Sequence, residues 1–433
     1  MISVHTGIMR SAGVSALLCA TAHLAAQPAS VVFHRVDVFD GYRMLRSQTV
    51  VIQNGMIRDV HASGEPPQGT AFIDGAGKTL LPGLIDAHCH IAREESLEQA
   101  AALGVTTELD MFGNPKDLIS LRKAVENGKY PNAAEFRTAG TGVNVPGGHP
   151  SELGGPSYPS LGQKDDPQRF VDARFAEGSD YLKIIYDHTL PGLSFQQLED
   201  LVAAAHKRNK LVAVHETFQR DGLDAIRAGA DHLEHIFDDT PISRDFLDIA
   251  TRNHIVITPT LAIVSAVGGK STGPELAKDP RFAPYLLGWA TEILNIKLPG
   301  KTVQQHHYEN AQAAVRALHD AGITILAGTD SPNPNTGYGL SMHAELLLLT
   351  ECGLKPEEAL RAATAAPARE FQLIDRGRIE AGRRADLLLI NGDPSKDVRA
   401  TRDILGVWKA GVKIDRDAVA QRMKAGRNDR ADR

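Results

Sequence analysis

Two histidines one residue apart, His88 and His90, close an apolar run in Leu81-Pro82-Gly83-Leu84-Ile85-Asp86-Ala87-His88-Cys89-His90. Successive side chains of a strand point to opposite faces, so both imidazoles face one side and Cys89 the other. Two neutral nitrogen donors on a rigid strand make half of a metal site. Alone, such a pair also fits a half-buried surface strand, so the remaining donors decide. Lys183 sits in Tyr181-Leu182-Lys183-Ile184-Ile185, His215 ends Leu211-Val212-Ala213-Val214-His215, His235 ends His232-Leu233-Glu234-His235, and Asp330 ends Ile325-Leu326-Ala327-Gly328-Thr329-Asp330. An ammonium in so apolar a strand must lose its proton, find an anion, be chemically changed or snorkel to the surface. A neutral lysine amine can add carbon dioxide, giving a carbamate shaped to bridge two cations. Asp330 can cap the helix that follows it, or bind a metal and accept the proton of a bound water. Histidine and carboxylate donors suit Zn²⁺ first, and also Mn²⁺, Co²⁺ or Fe²⁺.

Such donors act together only if separate strands carry them to one place. Strand-like runs at Leu84–His90, Val105–Leu109, Glu135–Ala139, Tyr181–Ile185, Leu211–His215, His232–His235, Ile255–Pro259 and Ile323–Thr329 alternate with helical stretches such as Pro115–Asn127, Asp166–Glu177, Phe195–Asn209 and Asp221–Ala230. Eight β/α repeats predict an α/β fold, a (β/α)8 barrel over residues 81–379 with catalytic groups at the C-terminal ends of its strands. Short strands before it, around an Asn54-Gly55 turn, and after it, at Ala385–Ile390 and Ile404–Lys409, predict a small β-sandwich built from residues 30–80 and 380–418. Residues 419–433 read as a charged tail or frayed helix. Two long loops, Asn144–Lys164 and Leu261–Gly300, belong at the mouth of such a barrel, as substrate loops or as tolerated insertions.

The 433 residues, 42% of them hydrophobic, carry a formal charge of −6 with the signs mixed, so no basic stripe exists for nucleic acid. Seventeen histidines against three scattered cysteines, Cys19, Cys89 and Cys352, make imidazole and carboxylate the ligand set and leave no disulfide framework. Arg10, an apolar stretch from Ser11 and a small-residue end at Leu24-Ala25-Ala26 read as a signal peptide over residues 1–26. It is too short to span a membrane, and it implies a secreted or periplasmic protein.

The chain resembles the amidohydrolase superfamily. Pro82-Gly83-Leu84-Ile85-Asp86-Ala87-His88-Cys89-His90 is close to its first-strand motif, and Gly377-Arg378-Ile379-Glu380-Ala381-Gly382-Arg383-Arg384-Ala385-Asp386-Leu387 is similar to its return into the terminal β-domain. Gly328-Thr329-Asp330-Ser331, Gly339–Leu346 and Ala359–Thr364 resemble the imidazolonepropionase-like and Xaa-Pro-dipeptidase-like branch. The resemblance implies one metal held by His88, His90 and Asp330, a carboxylated Lys183 bridging to a second held by His215 and His235, and Asp330 as the proton acceptor. His149 falls where such relatives carry a loop histidine near the substrate. Imidazolonepropionase lacks the bridging lysine and uses one metal, so Lys183 favours the binuclear peptidase-like members. The implied activity is hydrolysis of an amide or peptide bond in a small molecule, a dipeptide or N-acyl amino acid, by a homo-oligomer. The same centre would serve for a cyclic amide, lactone or phosphotriester. A non-catalytic barrel would have lost ligands, and all six positions are present.

Overall fold

A computed structural model describes residues 30–65, 71–151, 158–296 and 307–431. The stretch expected to be a signal peptide lies outside them. Five strands come first: β1 (Val31–Phe39), β2 (Met44–Gln53), β3 (Met56–Ala62), β4 (Ile73–Asp74) and β5 (Lys78–Pro82). Eight follow in alternation with helices: β6 (Leu84–Cys89), β7 (Val105–Asp110), β8 (Glu135–Thr138), β9 (Leu182–Ile185), β10 (Val212–His215), β11 (His232–Glu234), β12 (Val256–Thr258) and β13 (Thr324–Ile325). Three close the chain: β14 (Leu387–Asn391), β15 (Ile404–Lys409) and β16 (Val412–Lys413). The first helices, α1 (Glu94–Ala102), α2 (Pro115–Glu126), α3 (Pro167–Glu177) and α4 (Phe195–His206), each follow one of β6–β9. Asn114, Asp166 and Ser194 cap the last three through side-chain oxygens.

The eight central strands form two parallel sheets, β6-β7-β8 and β13-β12-β11-β10-β9, in place of one continuous ladder. Backbone bonds join them along both edges. On one side Asp180 N donates to Thr138 O at 2.8 Å and Val143 N to Lys183 O at 2.7 Å; on the other, Ala87 N donates to Ala327 O at 2.9 Å and His90 N to Ser331 O at 2.7 Å. The second edge lacks a regular ladder for a local reason. The Asp86 carboxylate accepts from His88 N at 3.1 Å, taking an N–H a ladder would use, and shares Thr329 N, 3.0 Å away, with His88 O at 3.1 Å. Ile85, Ala87, Leu109, Met111, Tyr181, Ala213, Val256 and Leu326 pack as one buried cluster contributed by successive strands and their ends.

The strands from both ends pair into a single sheet, β16-β15-β14-β5-β1-β2-β3, with β4 beside β1. That sheet is strongly curled. Phe33 on β1 and Trp408 on β15 are three places apart, roughly 14 Å in a flat sheet, yet their ring centroids lie 5.0 Å apart. The far edges also meet, because Ala385 N donates to Gly55 O and Gly411 N to Ala385 O, both at 2.9 Å. Phe33, Val36, Ile52, Leu80, Leu389 and Trp408 therefore form a second core, separate from that of the central strands.

The C-terminal segment is an ordered helix, Arg416–Ala431, where a charged tail was one expectation. Val419 and Met423 are buried against Ala102, Leu287 and Ala290, and Arg422 pairs with Glu98 at 2.8 Å. The long stretch after Leu261 also contains structure, with helices Leu261–Val267, Gly273–Ala277 and Gly288–Leu294. No helix among the described residues is long and apolar enough to cross a membrane.

Candidate metal centre

His88, His90, His149, Lys183, His215, His235 and Asp330 all line one cavity of about 310 Å³ at the C-terminal ends of the central strands. His88 ends β6, Lys183 lies in β9, His215 is the last residue of β10, His235 follows β11, and Asp330 follows the extension of β13. Two of them sit in left-handed backbone, His235 at φ 82° and Asp330 at φ 56°. That conformation is uncommon outside glycine and clusters at functional sites. Backbone bonds hold it, from His235 N to Thr258 O at 2.8 Å and from Asp330 N to His88 O at 2.7 Å. Gly328 admits this approach of chains, since a Cβ there would lie 2.8 Å from that of His88 and 2.5 Å from Thr258 Cγ2.

The ligand-type atoms of His88, His90 and Asp330 all lie within 4.8 Å of one another. Asp330 Oδ1 is 3.0 Å from His90 Nε2 and 3.5 Å from His88 Nε2. On its other side His90 Nδ1 donates to Phe112 O at 3.2 Å, which leaves Nε2 to face the carboxylate. At that separation a proton or a cation lies between Nε2 and Oδ1. Burial works to raise the Asp330 carboxyl, but its bond from His90 and the nearby histidines and Lys183 outweigh burial and hold it below the usual range, hence ionised.

The other donors are poised for a cation in the same way. His235 and His215 are pushed down, His235 to about 3, mainly by burial, so both are neutral. Their rings lie 4.6 Å apart, and His88 lies 4.7 Å from His235. Lys183 is buried to 2% exposure and its Nζ has no hydrogen-bond partner among the described residues. Burial lowers its pKa to about 8. A fully buried amine with no hydrogen-bond partner among the described residues, beside imidazoles and a carboxylate, fits a group that would be carboxylated and shared between two cations. Its bare form leaves a buried polar atom unsatisfied, which costs of the order of 1–3 kcal/mol. The His149 ring stacks on His215 with centroids 5.2 Å apart, at the outer end of the cluster.

Each imidazole is oriented from behind. His88 Nδ1 lies 2.6 Å from Glu234 Oε2, with both groups buried. Burial drives this pair toward sharing one proton without net charge, and raises the Glu234 carboxyl to about 8. A cation at Nε2 would fix the proton on Nδ1, facing the Glu234 carboxylate. His235 Nδ1 pairs with Thr260 Oγ1 at 2.8 Å. His215 Nε2 is 3.4 Å from Thr217 Oγ1, which donates to Asp187 Oδ2 at 3.0 Å. Partners of this kind set tautomer and ring angle at metal sites. Sequence reasoning missed Glu234, Thr217 and Thr260, and gave Asp187 no part in orienting a ligand. Glu234 alone carried a usable signal, because a carboxylate in the apolar strand end His232-Leu233-Glu234 raises the same desolvation question as Lys183.

A second group of ligand-type side chains, Asp187, His188 and Asp221, lies nearby. Its members already satisfy one another and their neighbours, with His188 Nδ1 2.8 Å from Asp221 Oδ1 and Asp187 Oδ1 accepting from Thr189 Oγ1 at 2.6 Å.

Comparison with known proteins bears on the fold and the family. A family model described as "Amidohydrolase family" matches residues 79–414. Imidazolonepropionase of Deinococcus deserti is 35% identical over 129 residues, only 29% of this chain and 31% of that enzyme. Ochratoxinase of Aspergillus niger is 25% identical over 427 residues, covering 85% of this chain and 82% of its own. Among solved structures, a Xaa-Pro dipeptidase with bound methionine superposes with a TM-score of 0.72 at 21% identity, over 89% of this chain and 99% of that one. The likeness shows a shared TIM-barrel-like α/β fold.

Proposed function

The chain belongs to the amidohydrolase family, and on that premise we propose that it is a binuclear metal-dependent hydrolase cleaving an amide or peptide C–N bond of a small molecule. The two parallel sheets, bonded at both edges, are read as one ring of eight strands, with His88, His90 and Asp330 holding one divalent ion, Zn²⁺ first among candidates. His215 and His235 would hold the second, and Lys183, as its carbamate, would supply the remaining protein oxygen donor. The observation that carries this reading is the ionised Asp330, its Oδ1 3.0 Å from His90 Nε2, in the same cavity as the Lys183 amine, which has no hydrogen-bond partner among the described residues.

When bound, such ions lower the pKa of water and polarise the scissile carbonyl. The protein's own groups do the rest. Asp330, held ionised and projecting from the rim of the strand ends, accepts a proton from the attacking water and returns it to the departing nitrogen. Overall the C–N bond breaks, a C–O bond forms, and the amine leaves with a proton from water. His149, at the outer end of the imidazole cluster, is placed to donate a hydrogen bond to the substrate. The buried, uncharged state of His215 and His235 keeps their lone pairs available at neutral pH.

Elemental analysis should find about two metal ions per chain, and chelation should abolish amide hydrolysis. In metal-loaded, folded protein, Asp330→Asn should lower kcat by roughly 10²–10⁴-fold. Turnover surviving either treatment would overturn the assignment. Export is a separate proposal, resting on the apolar N-terminal stretch. N-terminal sequencing of mature protein from the native host should begin near Gln27, and an intact start would refute it.

A further inference from the structure

The wall of the cavity facing the ligand cluster is apolar and aromatic. Phe112 and Tyr158 meet edge to face with centroids 4.9 Å apart, and Pro150 and Ile185 extend the same surface. Both rings are only partly buried, so each turns apolar surface into the cavity. This wall is tied rigidly to the candidate metal centre. Phe112 O accepts from His90 Nδ1 at 3.2 Å, and Ile185 stands two residues after Lys183 on β9, hence on the same face of that strand.

The Phe112 ring lies directly over the backbone of Gly142. A Cβ there would come within 2.5 Å of Phe112 Cδ2 and 3.1 Å of Ile185 Cδ1. The absent side chain is what lets the ring lie back and leave the cavity open. Among the described lining residues, the only charged groups besides histidines are Lys183 and Asp330, both in the ligand set. Ser151, Asn333 and the Tyr158 hydroxyl are the remaining polar groups among the described lining residues, and all are neutral. No described cation outside the ligand set lines the cavity to meet a substrate carboxylate. A buried, unpaired carboxylate is strongly disfavoured, whereas an aromatic ring covering this wall removes apolar surface on both sides from water.

From this geometry, and resting on the hydrolase reading above, we propose that the site selects uncharged amides bearing an aromatic or bulky apolar group that packs against Phe112 and Tyr158, in preference to substrates with a free carboxylate. Phe112 and Tyr158 are then specificity-determining residues, and Gly142 positions Phe112. The cavity, about 310 Å³, is at the small end of ligand pockets, which suits one ring and the amide beside it. The expectation of a dipeptide or N-acyl amino acid narrows to neutral aromatic derivatives.

Three compounds with the same scissile acetyl–nitrogen bond test this on the metal-loaded full chain: N-acetylphenylalaninamide, N-acetylphenylalanine and N-acetylalaninamide. The neutral aromatic amide should exceed each of the others in kcat/KM by at least about tenfold, the scale on which an apolar pocket discriminates. Phe112→Ala and Tyr158→Ala should each reduce the aromatic-to-alanyl ratio, chiefly through KM. Gly142→Ala, which touches no ligand, should reduce it too by pushing the Phe112 ring inward, with metal content unchanged. Hydrolysis with a preference for the free acid, or an aromatic preference that survives Phe112→Ala and Tyr158→Ala, overturns the inference and leaves the hydrolase reading standing. No hydrolysis of any of the three by protein carrying its metal overturns both.

Discussion

At the scale of single residues, the site depends on groups that never meet the substrate. Glu234 reaches across from β11 to His88 on β6, 2.6 Å away and out of contact with water. Glu234→Gln keeps an oxygen to accept from Nδ1 but removes the charge. Metal affinity, measured by competition with a chelator, should fall about 10–100-fold while the circular dichroism spectrum stays native. Lys183 gives a pH-dependent expectation. In metal-free protein burial lowers its pKa to about 8, so ammonium dominates below that pH and neutral amine above it. At fixed dissolved carbon dioxide, chelator-stripped protein given fresh metal should regain activity about tenfold faster at pH 9 than at pH 7, following the neutral fraction. Equal rates at the two pH values would argue against an amine that must first add carbon dioxide.

Elements are joined by charges whose placement is as particular as that of the ligands. Glu135, the first residue of β8, accepts from Arg384 at 2.7 Å and from Arg376 at 3.0 Å, and Arg384 also donates to Asp386 at 2.9 Å just before β14. The central strands and the terminal sheet thus share a half-buried ionic junction. Burial works to raise the Glu135 carboxyl, and the two guanidiniums outweigh it, so its pKa is lowered. A lowered folded value stabilises the protein fully above the unfolded carboxyl pKa and loses that contribution as pH falls through the folded one. Glu135→Gln should destabilise by about 2 kcal/mol near neutrality, because Arg376 and Arg384 each lose a charged acceptor and keep only Asp375 and Asp386. The gap from wild type in urea melts should close as pH falls through the lowered Glu135 value. How much of this was legible in the sequence follows from the same physics. His88, His90, Lys183, His215, His235 and Asp330 stood out because each interrupts or ends an apolar strand, where a polar group needs a reason. Glu234, Asp187 and Thr217 act across strands far apart in sequence, and one chain without its fold does not say which strand ends are neighbours. The docking of helix Arg416–Ala431 was hidden similarly, since its two buried side chains, Val419 and Met423, are too few to mark a face in a charged segment.

For the molecule as a whole, the terminal sheet completes the barrel-bearing part of the chain. β5 leads directly into β6, and β14 pairs with β5 along its full length, from Lys78 opposite Asn391 to Pro82 opposite Leu387. Protein ending before Leu387 would leave β5 as an unpaired edge and open the core around Phe33 and Leu80. Such a truncation should be recovered as aggregate, whereas one ending after Lys413 and lacking the last helix should stay soluble with lowered stability, as sedimentation and thermal melts would report. The dispersal of donors over β6, β9, β10, β11 and the segment after β13 has a biosynthetic corollary. On the ribosome His88 and His90 emerge early, but their cluster lacks its carboxylate until Asp330 follows and its supporting sheet until β14 does. A metal that needs all three of His88, His90 and Asp330 would therefore be loaded only after the chain is complete.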